Sequence, residues 1–545
     1  MELIRLAKDF FSVSQDSYFW YMHQTLPFVL SLIAIIVLIE MLANKIKVAY
    51  PILLVIAGLG ISFIPGLPAI RINPEMIFFI FLPPLLFEAS WSISLKELKK
   101  WYRIIGSFAF LVVFFTAVSV AIFTNYFIPG FSLALGFLLG GIVSPPDAVS
   151  AGAILKFVKI EKSTASILEG ESLLNDASSL IIFRFALVAV ATGQFIWKTA
   201  IFNFSWMVCG GAIIGLALGW FFMQAHKKLP TDAPSDIAFT LIEPYILYWV
   251  GEHLHSSGVL AVVFGGLYLS NRRLVFLNST SRIKGYSVWE SFVFILNGLV
   301  FMLIGLDMPE ILSGLHQKGI PLSTAIQYGV WVSMLLIVVR IISSFFALFA
   351  TYLFRRQTFK RINRDGMWKR PFILGWTGMR GVVSLAAALS IPVKLSNGQD
   401  FPYRNLILFI TFVVIILTLL VQGLTLPYIL KSAGSFMNAE DDSDKVSKNL
   451  RKELYAHSVN VLKNKYAEYL ARKPLLADML RQWEHKMQVT DDEIMDNEHR
   501  RIYLELLEYQ RNFLIERNKD PELDEEIIRK QLYLIDLDEE KMKSM

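Results

Sequence analysis

Several ionisable side chains stand where hydrocarbon is expected. Asp147, Asp176, Arg340, Arg380 and Glu88 each fall inside a long apolar run. A charged residue at the bilayer centre costs about 3 kcal/mol on an insertion scale, so such residues face a bundle interior or an aqueous cavity and find partners. A carboxylate in that setting has two uses. It can take up a proton, or it can join other oxygens around a hard cation. The stretch EGESLLNDASSL, Glu169 to Leu180, arranges these groups on a helix. At about 100° per residue, Glu169, Ser172, Asp176 and Ser179 share one broad stripe, whereas Glu171 lies about 140° away from Asp176. The two acids therefore meet different neighbours. We expect Asp176 to share a cavity with Asp147. We expect Glu171 to pair with an arginine, preferably Arg340, packed away from that cavity.

A second feature lies beside these charges. GGIVSPPDAVSAG, Gly140 to Gly152, places Pro145 and Pro146 just before Asp147. Two prolines remove two backbone donors and break a helical ladder. GWTGMRGVVSLAAALSIP puts Gly375, Gly378 and Gly381 around Arg380, which weakens a second helix midway. A broken span in each half of a membrane protein points to inverted repeats, with the site where the breaks cross. The fifth and twelfth apolar runs correspond if the first six repeat as the last six, with the seventh linking them. That repeat rests on hydropathy symmetry alone.

The elements that must position these residues follow from composition. The chain has 545 residues, 54% of them hydrophobic, and a mean hydropathy of +0.50. Apolar runs of membrane-spanning length recur about 13 times, from Leu26–Ala43 to Leu406–Leu430. The eighth (Ile237–Val250) and ninth (Val259–Ser270) are short, and Glu243, Glu252 and His253 blur their edges. Alternate loops hold about 22 Lys and Arg against about 5 in the others, a positive-inside bias. The N-terminus is therefore expected outside and the C-terminus in the cytoplasm. The net charge of +6 reflects those loops and argues for membrane orientation, not nucleic acid. Cys209 is the single cysteine, so no intrachain disulfide forms. The first residues lack a signal-peptide core, which leaves targeting to the first membrane helix.

The expected fold is an all-α polytopic membrane protein of about 13 transmembrane helices, with inverted six-helix repeats and two discontinuous crossing helices. Residues 1–25 form a short external segment, 26–432 the membrane domain and 433–545 a helical cytoplasmic tail. NAEDDSDK reads as an acidic linker into that tail, and Leu450, Leu454, Val461 and Leu462 fall near one helical face. The tail has no metal or nucleotide motif and reads as an assembly or regulatory module.

Three motifs in this order carry a resemblance. DAVSAGAILK (147–156), GESLLNDA (170–177) and WTGMRGVVSLAAALSIP (376–392) resemble the sodium/proton exchanger branch of the monovalent cation:proton antiporter family, including bacterial members with a cytoplasmic tail. The likeness spans roughly residues 20–435. It implies a dimerisation domain, a moving core domain and a homodimer in the bacterial inner membrane. It implies that Asp176 is the main ion-binding carboxylate, with Ser172 and the Pro146 carbonyl completing a sodium shell. Asn175 matches electroneutral members. Asp147 would neutralise helix N-terminal ends and reach the site, and Glu88 matches a third acid near it. Glu171–Arg340 would be a structural ion pair, and Arg380 would compensate opposing helix C-terminal ends. The chain departs from the family pattern at Pro146-Asp147-Ala148, where many members read Thr-Asp-Pro, so a threonine hydroxyl is lost.

What the resemblance implies is exchange of sodium for protons by alternating access, with no cofactor and no bond chemistry. Lithium or potassium are further candidate ions, and potassium/proton exchange is the alternative within the same class. A cation channel would use the same oxygen ligands, but no pore-loop filter motif appears. An intramembrane hydrolase would need a base beside Ser172. None of the eight histidines is placed for that, His253 coming nearest but lying toward the outer face.

Overall fold

The computed structural model describes residues 15–46, 48–64, 74–147, 150–152, 162–193, 197–354, 366–395, 398–433, 439–488, 497–517 and 525–543. Residues 1–14 of the expected N-terminal segment and most of the basic run 355–370 lie outside them. The chain divides into two compact units, Met1–Met437 and Asn438–Met545.

Every regular element among the described residues is helical, apart from one isolated bridge between Lys394 and Asp400. The first unit runs α1 (Gln15–Ile46), α2 (Tyr50–Ser62), α3 (Pro74–Ser92), α4 (Leu95–Gly106), α5 (Val113–Phe127), α6 (Leu133–Val143), α7 (Lys162–Thr192) and α8 (Trp197–Lys228). It continues with α9 (Ala233–His253), α10 (Gly258–Phe276), α11 (Ser279–Gln317), α12 (Leu322–Phe354), α13 (Gly366–Trp376), α14 (Val382–Leu389) and α15 (Arg404–Ala433). Among the described residues, 8 helical stretches are long and apolar enough to cross a membrane, and three shorter apolar helices accompany them. The discontinuities fall at the expected places, between α6 and residue 150 and between α13 and α14.

Helix bounds differ from the sequence reading in two places. α1 starts at Gln15, not Leu26, and α9 and α10 outrun the short eighth and ninth segments. Hydropathy marks the lipid-facing run, whereas backbone hydrogen bonding carries a helix beyond it wherever polar side chains find partners. Asp236 and Glu243 of α9 find His226 of α8, and Glu252 finds Arg184 of α7.

The helices of this unit sort into two packed groups. α1, α2, α3, α8, α9, α10 and α11 form one, in which α8 lies along α10 and α2 along α11. The α2–α11 approach is close because Gly58 and Gly305 face the opposing backbone, and a Cβ on Gly58 would strike the Met302 carbonyl. α4 to α7, α12, α13 and α15 form the other group, and α14 packs against members of both. α7 touches α3 and α10 of the first group only thinly. Between α4 and α5 the residues Ser107–Val112 form a π-turn. Such a turn frees a carbonyl from the ladder. Here the Ser178 hydroxyl donates to the Ala109 carbonyl.

The second unit contains α16 (Ala439–Lys465), α17 (Ala467–Arg472), α18 (Pro474–Gln488), α19 (Asn497–Arg517) and α20 (Glu525–Lys543). The acidic stretch expected as a linker is the first turns of α16, where negative side chains suit the helix dipole. The expected apolar face also shifts. Val459 and Leu462 are buried, whereas Leu450 and Leu454 are more than 60% exposed. In α19, Arg511 binds Asp536 at 2.9 Å and also Glu539, both from α20, which pins those two helices together.

Candidate functional site

The two breaks meet. α6 stops at Val143, and the Asp147 N–H donates to the Met379 carbonyl at 2.7 Å, so the extended segments are hydrogen-bonded to each other. The approach needs glycine at 381, because a Cβ there would collide with the Asp147 carboxylate.

Charges follow the helix ends. Arg380 is fully buried. Its Nε donates to the Val143 carbonyl at 2.7 Å, its Nη2 reaches the Ser144 carbonyl at 3.5 Å, and its Nη1 contacts the Gly378 carbonyl. Those oxygens terminate α6 and follow α13, where the negative ends of the helix dipoles point. Asp147 serves the opposite polarity. Its Oδ2 accepts from the Ser150 N–H at 3.2 Å and the Ser150 hydroxyl at 2.6 Å, capping the helix that resumes at 150.

That cap frees an oxygen. In an unbroken helix the Pro146 carbonyl would accept the Ser150 N–H, which is committed to Asp147. The carbonyl turns instead to α7. Ser172 Oγ donates to it at 3.4 Å and Asn175 Nδ2 at 3.3 Å. Asp176, the next residue, is buried at 8% exposure, with the Asp147 carboxylate close enough to act on it electrostatically. Among the described residues no cation pairs with Asp176. Pro146, Asp147, Ser172, Asn175 and Asp176 thus come together in one place. The arrangement offers a carbonyl, a hydroxyl and two carboxylates in a closed environment, a set suited to a hard cation or a proton.

Glu171 faces away. It forms an ion pair with Arg340 of α12, each side chain only 1% exposed. The Arg340 guanidinium also lies 5.3 Å from the centre of the Phe108 ring in the π-turn.

Glu88 sits apart from this set. It lines a cavity of about 1110 Å³ together with Tyr50, Asp236, Arg273, Glu290 and Asn297, and its electrostatic neighbours are Glu169 and Glu290. Tyr50, which the sequence reading missed, lines the same cavity and lies within electrostatic reach of Asp147. The cavity therefore approaches the crossing point. In sequence, Tyr50-Pro51 signals only a helix start.

A second cluster also escaped the sequence reading. His226 of α8 is buried, its Nδ1 3.0 Å from Asp236 and its Nε2 2.9 Å from Glu243, both on α9. Ser281 of α11 donates to Asp236 at 2.7 Å. Asp236 and Glu243 are seven residues apart and share a face of α9, but only the packing of α8 against α9 brings His226 to them.

Comparison with known proteins decides the family. Residues 30–432 match the family described as sodium/hydrogen exchanger, transmembrane. The chain belongs to the sodium/hydrogen exchanger family. It is 32% identical over 415 residues to the "Sodium, potassium, lithium and rubidium/H(+) antiporter" of Bacillus pumilus (strain SAFR-032), covering 72% of this chain and 60% of that protein. It therefore spans about three fifths of the length of that relative. It is 33% identical over 395 residues to the Na(+)/H(+) antiporter ApNhaP of Aphanothece halophytica, covering 71% of this chain and 70% of the other. The solved sodium proton antiporter MjNhaP1 of Methanocaldococcus jannaschii at pH 8 superposes with a TM-score of 0.59 at 17% identity, over 76% of this chain and 99% of that one. The exchanger fold thus extends over the membrane unit. The family is one of polytopic membrane transporters, not an enzyme class.

Proposed function

We propose that this chain exchanges sodium ions for protons across the membrane by alternating access, with both ions competing for Asp176. The observation that carries the reading is the freed Pro146 carbonyl, held over Ser172 and Asn175 beside the buried Asp176. Sodium would take Asp176, Ser172 and the Pro146 carbonyl as ligands, and Asp147 would balance the helix end and reach the ion through water. A proton on Asp176 removes the charge that holds sodium, so the two states exclude each other. An empty, charged site is costly to move across an apolar barrier, so movement occurs with an ion bound. That rule yields obligatory exchange without a cofactor. Asn175, in place of a second carboxylate, leaves one exchangeable charge beside the ion and makes the exchange electroneutral.

Glu171–Arg340 and Arg380 are read as structural charges, and Glu88 as an acid that draws cations into the cavity. The basic residues Arg273 and Arg282 on the cavity wall support a cytoplasmic mouth, with the N-terminus outside and the C-terminus inside. The two helix groups correspond to a dimer-forming scaffold and a moving core within an inverted-repeat, 13-span plan. A homodimer in a bacterial inner membrane fits the bacterial relatives. Residues 433–545 form the cytoplasmic tail, read as a regulatory or assembly module.

Potassium/proton exchange is the second reading. It is favoured by the ions in the name of the Bacillus pumilus relative and by the proline at 146, which offers only a carbonyl. Proton flux in proteoliposomes tests both. A pH dye is trapped inside, and sodium, potassium or lithium is added outside at several clamped voltages. Sodium-driven flux that ignores voltage and vanishes in Asp176→Asn is expected. Flux with potassium alone would replace the ion. Voltage-driven sodium current without proton movement would overturn exchange.

A further inference from the structure

We infer that the Arg184–Glu252 ion pair, with the Phe78–Phe183 stack beneath it, is the gate that closes the ion site on the face opposite the cavity; this rests on the alternating-access reading above. Phe183 lies seven residues after Asp176 on α7, hence on nearly the same helical face and about 10 Å further along the axis. Its ring stacks on Phe78 of α3, with centroids 6.2 Å apart and planes 12° from parallel. Both are buried. An apolar pair in that position blocks a hydrated ion from leaving Asp176 in the direction away from the cavity.

The next residue, Arg184, reaches the other helix group. Its Nη2 lies 2.8 Å from Glu252 Oε1, and the Tyr248 side chain lies close enough to act on it electrostatically. Glu252 is a fixed anchor, because the same Oε1 accepts the Gly258 N–H at 2.9 Å at the start of α10. The pair therefore ties α7 to α9 and α10, across an interface where α7 otherwise packs thinly. Its side chains are 29% and 30% exposed, so the lock is less deeply enclosed than the aromatic layer. A lock of this kind suits a door that must open on each cycle. Partly exposed ion pairs are weak, so removing this one shifts the balance between the two faces by about five-fold or less. A deeply buried pair such as Glu171–Arg340 would be too costly to break repeatedly.

The test uses the full chain in a Cys209→Ser background with Ser179→Cys as a reporter. Ser179 is 1% exposed and lies between Asp176 and the Phe183 layer. A membrane-impermeant maleimide is applied to the outer face of intact cells, and the labelling rate is measured. Arg184→Gln and Glu252→Gln are expected to speed labelling up to about five-fold, Phe183→Ala more than either, and Arg184→Lys to restore the original rate. Equal rates in all variants, each monodisperse after purification, would overturn the gate, as would faster labelling from the cytoplasmic face of inverted vesicles only. The labelling readout does not depend on the ion carried. Faster labelling in a protein that shows no ion-driven proton flux would leave the gate standing and remove the exchange reading.

Discussion

Glu171 and Asp176 are both buried acids on α7, yet their surroundings oppose each other. Glu171 has a permanent cation, Arg340, which packs over Phe108. Asp176 has a second carboxylate, Asp147, as its electrostatic neighbour, and a carbonyl held beside it by Ser172 and Asn175. A carboxylate with a fixed partner is a building element, because exchanging that partner means exposing an unpaired buried charge. A carboxylate surrounded by oxygens is unsatisfied unless a proton or a cation joins it. The contrast separates architecture from transport within a little over one helical turn.

The sharpest way to break the comparison is to remove each acid in turn. Asp176→Asn is expected to reduce ion-driven proton flux to the level of empty liposomes while the protein still purifies as a folded species. In the unaltered protein, one-proton competition predicts that the apparent sodium affinity falls about ten-fold per pH unit once the site is mostly protonated. A pH-independent affinity would show that sodium and the proton do not share Asp176. Glu171→Gln should behave differently. It strands Arg340 in the interior and should cost about 3–5 kcal/mol of stability. A thermal melt in detergent reads this directly. The double change Glu171→Leu with Arg340→Met should recover most of that loss, since a buried pair replaced by apolar groups is often neutral. Transport per folded molecule should survive in the double variant. If it is lost while the melt recovers, Glu171 belongs to the transport path and the contrast fails.

The two acids also show what a sequence reveals. Their separation around α7 follows from helical geometry, so different neighbours can be assigned to them from residue spacing alone. Residue spacing gave Glu171 an arginine partner, preferably Arg340, and the family resemblance implied the same pair. The breaks were legible because Pro145, Pro146 and the glycines around Arg380 act on the backbone locally. What stayed hidden depends on packing between distant segments. Tyr50 approaches Asp147 through the fold, and His226 finds Asp236 and Glu243 only once α8 lies against α9. The π-turn at Ser107–Val112 has no composition signal, and its freed carbonyl is recognised only through Ser178. The tail misled for a different, local reason. Its charges read as a linker, although acidic residues at a helix start stabilise the helix they begin.

Gly381→Ala tests the crossing itself, with a smaller expected effect. The added methyl group enters space held by the Asp147 carboxylate, and overpacking of this kind costs about 1–3 kcal/mol. Either the Asp147–Met379 hydrogen bond lengthens or the carboxylate turns away from Ser150. The first loosens the crossing and the second uncaps the helix starting at 150, and in both cases sodium affinity should weaken along with the melting temperature. A fall in stability with unchanged affinity would mean that the crossing supports the fold but does not shape the ion shell.

Ser172→Ala gives the smallest change and the finest distinction. The hydroxyl donates to the Pro146 carbonyl at 3.4 Å, a long bond that a bound cation would compete for. Removing it deletes one candidate ligand and leaves Asn175 to hold the carbonyl at 3.3 Å. One neutral hydrogen-bonding group contributes about 0.5–1.5 kcal/mol, so apparent sodium affinity should fall about 2- to 10-fold with the maximal rate preserved. A serine acting as a nucleophile would instead take all activity with it. The ratio of sodium to potassium affinity carries the further information. If Ser172 ligates the ion, the smaller cation should lose more, because a shell that lacks one oxygen closes less well around sodium than around potassium. An equal loss for both would assign Ser172 to orienting the Pro146 carbonyl, and would leave that carbonyl and Asp176 as the groups that read the ion's size.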